Sequence, residues 1–144
     1  MLMLQPRLVR FAGMTLENVT HVTLSREPAR EVVEWSDGGP YAVFADVPEQ
    51  RVVAVIRQEL VREDWGDVRP GTMGTLTIVT APAGADGRRR RLTATAVVLA
   101  SASDVRGGSS DGRAPRAERS VRLVLVSPDG AADPVAMTDA GAEP

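Results

Sequence analysis

Cysteine and lysine are both absent from this chain of 144 residues, histidine occurs once, and aromatic residues make up only 3%. Without cysteine there are no disulfide staples, thiolate metal sites or cysteine nucleophiles, and the redox compartment stays open. With His21 alone, no histidine cluster for zinc forms within one subunit. The missing lysine leaves 17 basic residues, all arginine, against 19 acidic ones. Arginine's planar fork pairs bidentately with carboxylates and suits interfaces with many partners, although GC-rich coding explains the same bias equally well. A net charge of −2 is not the basic excess that marks a nucleic-acid binder. Long apolar runs are lacking too: "MLMLQPRLVRFAG" is broken at Gln5, Pro6 and Arg7, too short for a signal peptide or a membrane span. These features lead to the expectation of a soluble, cytoplasmic protein of one domain, a size that buries about 68–70% of its unfolded surface.

Signatures of chemistry are also missing. There is no glycine-rich phosphate cradle, no HExxH, no GxSxG and no EF-hand loop. Glu59, Glu63, Asp64 and Asp67 are close enough in sequence to suggest paired carboxylates, but no nucleophile or orienting group converges on them, so solvated or intersubunit charge is the reading. His21, between Thr20 and Val22, reads as a hydrogen-bonded strand residue. No enzyme activity, cofactor or metal is expected.

What is present is a period of two, with no window holding a helical stripe, so the chain reads as mainly β. Leu8–Phe11 forms a short strand. "VTLSRE" forms another that stops before Pro28, "REVVEW" follows with Val33 and Trp35 on one face, and "SDGGP" turns the chain on Gly38 and Gly39 through positive φ. "YAVFADVP" reads as a short strand or an extended crossing loop. The long run after Pro48 puts Val52, Ala54, Ile56 and Leu60 on one face, and Arg51, Val53, Val55, Arg57 and Glu59 on the other. At roughly 3.3 Å per residue, its ten or so residues are long for a strand. "REDWGDVRPG" is a loop with at most one helical turn, anchored by Trp65. "TLTIVT", with Leu76 and Ile78 inward, makes a hairpin with "RRRRLTATAVVLASA", and "VRLVLVS" closes the set. Roughly six to eight strands suit a β-sandwich or small barrel. Trp35, Trp65, Tyr41, Phe11 and Phe44 are expected to supply much of the bulky packing.

The expected organisation is a single β domain over 1–130, with an arm at about 36–47 and a flexible loop at about 103–119. A loose tail follows at 131–144. "GRRRR", from Gly87 to Arg91, is the strongest charge feature; a strand there sends Arg88 and Arg90 one way and Arg89 and Arg91 the other. It fits phosphate contact or a protein interface, and no interleaved aromatic supports base stacking. A glycine turn, an aromatic crossing segment and a long, half-charged strand together suit contact between copies.

"VTLSREPAREVVEWSDGGPYAVFADVPEQRVVAVIRQEL" followed by "RSVRLVLVSPDG" resembles the tail tube proteins of tailed bacteriophages, related in fold to the Hcp tube protein of type VI secretion. The likeness covers roughly Val19 to Gly130 in order and character. The family's helix between the central strands is hard to find in "VREDWGDVRPG", and the segment from Ser103 to Ser120 is long for it.

The resemblance implies a structural virion protein of the tail, assembled in the host cytoplasm. It would form homo-hexameric rings that stack into a channel for DNA ejection, with other tail proteins as partners and no specific hold on the DNA. Glu31, Glu34, Arg57 and Glu59 are then candidates for the lumen or the contact between subunits. Asp37, Tyr41, Phe44 and Asp46 become candidates for a ring-to-ring arm, and Arg88, Arg89, Arg90 and Arg91 for interface arginines pairing with acids of a neighbour. Two alternatives stay open: a terminator, adaptor or baseplate protein, and a β-barrel nucleic-acid-binding module using the arginine run.

Overall fold

The computed structural model describes residues 1–60, 68–80, 88–106 and 116–139. Nine strands make one antiparallel sheet: β1 (Leu2–Leu4), β2 (Pro6–Phe11), β3 (Met14–Leu16), β4 (Val19–Trp35), β5 (Ala42–Leu60), β6 (Met73–Thr80), β7 (Arg90–Arg106), β8 (Arg116–Val126) and β9 (Ala136–Asp139). Their order is β1-β4-β5-β8-β7-β6-β2-β3, with β9 on β7. The architecture is mainly β and barrel-like, and no helix occurs among the described residues.

The N-terminal segment curls the sheet. β1 pairs with β4 (Leu2↔Leu24) while β2, after Gln5, pairs with β6 (Val9↔Ile78), so adjacent pieces of chain hold strands from opposite ends of the order. One concave face is thereby enclosed. Alternation decides what fills it: Leu92, Ala94, Ala96 and Val98 of β7 point in, as do Leu76 and Ile78 of β6. Val121, Leu123 and Leu125 of β8 and Val52, Ala54 and Ile56 of β5 complete the layer. Fully burying each Val, Leu or Ile is worth about 1.5–3 kcal/mol.

The core is aliphatic, which corrects the expectation about aromatics. Phe11 is buried, but Trp35 is 64%, Tyr41 82% and Phe44 49% exposed. The concave face takes aliphatic side chains from most strands, and three of the scarce aromatics are spent elsewhere. Trp65 and the loop reading around Glu63, Asp64 and Asp67 lie outside the described residues, as does Gly87.

Pro28 does not end a strand. β4 continues through it to Trp35 because the ladder is irregular there, with register shifts flanking Arg30. A bulge tolerates a residue without an N–H. "YAVFADVP" is neither separate strand nor loop: from Ala42 it belongs to β5, which runs 19 residues to Leu60. In the connecting turn neither Gly38 nor Gly39 takes positive φ. The Ser36 hydroxyl instead accepts a hydrogen bond from the Gly38 N–H at 3.2 Å.

Positive φ is used at the β2–β3 hairpin, where Ala12 (51°) and Gly13 (81°) form a two-residue turn with both central residues left-handed. This turn lies against Gly74, where a Cβ would come within 2.6 Å of the Ala12 Cβ and 2.8 Å of its Cα. Gly74 is thus a point of close backbone approach.

The segment expected as a loop from 103 to 119 is strand at both ends. β7 reaches Arg106 and β8 starts at Arg116, with Ser103 opposite Arg119; residues 107–115 lie outside the described residues. The tail is docked rather than loose as far as Asp139. β8 leaves β7 at Val126↔Thr95, and β9 rejoins at Ala136↔Thr93, in line with it. The excursion between them is held by the Asp129 carboxylate, which accepts from the Ala132 N–H (2.8 Å) and the Ala131 N–H (2.9 Å). Val135 packs on the core.

Candidate assembly surface

The feature that departs from the curled, barrel-like sheet is the outer half of the β4–β5 hairpin. Val22↔Ile56 and Leu24↔Ala54 belong to the body, but beyond Pro28↔Gln50 the two strands pair only with each other. Every residue of β5 from Ala42 to Arg51 is exposed, and burial begins abruptly at Val52. The arm therefore spans Pro28 to Gln50, wider than the 36–47 expected. At about 3.3 Å per residue its β4 side projects about 25 Å.

Val33 faces Ala45, and Trp35 follows on the same side; Val32, Glu34, Phe44 and Asp46 take the other. Val33, Trp35, Tyr41, Val43, Phe44 and Val47 are all exposed large hydrophobics. Such a concentration of apolar surface on a ribbon with two open backbone edges is a pairing site in waiting. It is acidic as well: Glu31, Glu34, Asp37, Asp46 and Glu49 lie between residues 31 and 49 with no arginine among them. At its base Arg30 meets Glu49 at 3.5 Å.

The four arm candidates Asp37, Tyr41, Phe44 and Asp46 are thus together on the projection. The lumen set is not. Glu31 and Glu34 are on the arm, whereas Arg57 and Glu59 stand at the far end of β5, about 40 Å away at 3.3 Å per residue. Arg57 is exposed opposite His21 and Ser120, and Glu59 is half-buried opposite Glu118. No single surface contains all four.

The arginine run meets an acid of its own chain, where a neighbour's acids were expected. Arg88 lies 3.4 Å and Arg90 3.7 Å from the Asp139 carboxylate. β9 brings Asp139 there by pairing with Arg90, and Arg91 is exposed opposite Thr138. Docking of the tail, which composition alone argued against, is what changes the environment of these arginines.

Sequence reasoning missed a groove at the root of the arm. Arg26, Val52 and Leu125 stand in one row across β4, β5 and β8, and the excursion after β8 lies over its end. Asp133 reaches Arg26 at 2.7 Å and pins that loop. The concavity, about 640 Å³, is walled also by Pro48, Ala132 and Pro134. The Arg26 guanidinium, with help from the Val135 N–H, holds the Asp133 carboxyl below its ordinary value. Asp129 is lowered likewise, first by the Ala132 N–H, then by Ala131 and the Ser127 hydroxyl.

At the opposite end a buried polar pair closes the core. Arg119 donates from Nε and Nη2 to the Gln58 Oε1 (3.2 and 2.7 Å), and Gln58 donates to the Glu17 carbonyl at 2.7 Å. Among the described residues no group of three or more potential metal ligands assembles. No protein-family model matches this chain, and no curated protein is significantly similar to it.

Proposed function

We propose that this protein is a structural assembly subunit of the phage tail-tube type, whose copies join into rings that stack around a channel for DNA. The observation that carries this reading is the arm: a two-stranded ribbon that leaves its barrel with both edges open and its hydrophobic residues in solvent. A monomer gains nothing from such a projection, whereas a repeated neighbour covers its apolar faces and pairs its edges. The acidic character of the arm suits a channel wall or ring contact near DNA, because phosphates are repelled mildly and slide. The pairing of Arg88 and Arg90 with Asp139 weighs against an open arginine track for phosphate.

Light scattering across a concentration series, combined with negative-stain microscopy, tests this. The expected result is growth from monomer into hollow rings or tubes in the intact chain. A variant with residues 30–48 replaced by a short turn is expected to fold and stay monomeric. An intact chain that stays monomeric at every concentration sinks the reading.

A further inference from the structure

We infer that the groove at the root of the arm is the receptor for the arm tip of a second copy. This rests on the assembly reading and adds to it the surface that receives the arm. The groove pairs an apolar wall of Pro48, Val52, Leu125, Ala132 and Pro134 with the guanidinium of Arg26, paired to Asp133, at its mouth. The lining carries two arginines, Arg26 and Arg51, against the one carboxylate of Asp133, which leaves a local excess of positive charge. The tip is the complement: exposed Trp35 and Tyr41 flanked by Glu34 and Asp37, on an arm with no arginine between residues 31 and 49. Aromatic anchors in a concave site with a charged rim are the usual anatomy of a tight protein contact.

Two occupants within the same chain are excluded by topology. The arm is continuously paired from Pro28↔Gln50 to Trp35↔Ala42, so its own tip is held about 25 Å from its own groove. The C-terminal strand leads away, ending with Asp139 beside Arg90 at the start of β7, beyond the Thr95↔Val126 pair. Tip and groove are different patches of one molecule, so in a ring the contact is heterologous and propagates from copy to copy.

The absence of cysteine makes the test clean. Ser36→Cys at the tip and Ala132→Cys in the groove wall both replace exposed residues. The double variant, oxidised under assembling conditions, is expected to give a ladder of disulfide-linked multimers. Each single variant gives none, and neither does Ser36→Cys combined with Thr15→Cys, which lies in a different concavity. Ala132→Trp, filling the groove, is expected to abolish assembly without lowering the thermal midpoint of the monomer. Normal assembly without the 36–132 linkage overturns the inference and leaves the assembly reading standing. Dimers formed by Ser36→Cys alone mean that tips meet tips, and overturn it too. A double variant and parent that both remain monomeric overturn both readings.

Discussion

Arg122 reaches from β8 across β5 to the Glu27 carboxylate on β4, 3.5 Å away, and in doing so crosses over Val53. Val53 faces away from the core layer, yet it is only 1% exposed. The register explains this: Val53 sits between Ser25 and Val124, with Arg51 opposite Glu27 on one side and Arg122 opposite Val55 on the other. The stems of two arginines converging on one carboxylate exclude water from a valine on the outer face.

Truncating Val53 and removing the ion pairs above it are therefore expected to differ in cost. Val53→Ala should lose about 2 kcal/mol, as for a buried side chain. Glu27→Ala should cost at most about 1 kcal/mol, because its partners are substantially exposed. Urea unfolding midpoints check both; a Val53→Ala variant as stable as the parent removes the claim that the outer face is sealed.

Gly74 and Ala12 should behave as a coupled pair. Gly74→Ala places a methyl into the Ala12 backbone and is expected to cost about 1–3 kcal/mol. Ala12→Gly removes the Cβ at the nearest contact and the steric cost of positive φ. Combining the two should recover part of the loss, giving a measurable coupling energy in a double-mutant cycle. Strictly additive losses count against close approach as the cause.

Acid should release the docked excursion. Both Asp129 and Asp133 have lowered folded-state values, so their contribution is fully present above the unfolded value of about 3.9 and is lost as pH falls through the folded value. Proteolytic cleavage within 127–135 is expected to rise as pH drops through that window. Asp133→Asn should raise cleavage at neutral pH and flatten the dependence. A cleavage rate in the parent that is independent of pH over this range contradicts the pinning by these carboxylates.

The parts of the molecule that alternation controls were legible in the sequence: Leu76 and Ile78 inward, and the β6–β7 hairpin. What failed was punctuation. Pro28 reads as a stop, yet a bulge absorbs its missing donor and β4 runs on. The Gly/Ala/Asp composition after Ser127 reads as loose, yet Asp129 and Asp133 convert it into hydrogen-bonded turns and an ion pair with a residue 107 positions away. Such long-range partners leave no local trace. Trp35 shows the same limit: alternation places it correctly with Val33 but does not say whether that face meets a core, solvent or another molecule.

That last question is open to a direct assay on the arm. Trp35 is 64% exposed and Phe44 49%, so neither supports the barrel, and alanine at either position is expected to leave the thermal midpoint unchanged. If the arm carries assembly, Trp35→Ala removes an aromatic anchor. Truncations of that kind at interface centres cost about 2 kcal/mol or more, roughly thirtyfold in association. The concentration at which light scattering rises should shift upward by about that factor. High salt should shift it in the same direction, because the acidic arm is drawn to an arginine-bearing surface. A destabilised monomer would place Trp35 in the fold after all, and unchanged assembly in a stable Trp35→Ala variant would take the tip out of the interface. Only weakened assembly with an intact fold matches a residue exposed in one copy in order to be buried against the next.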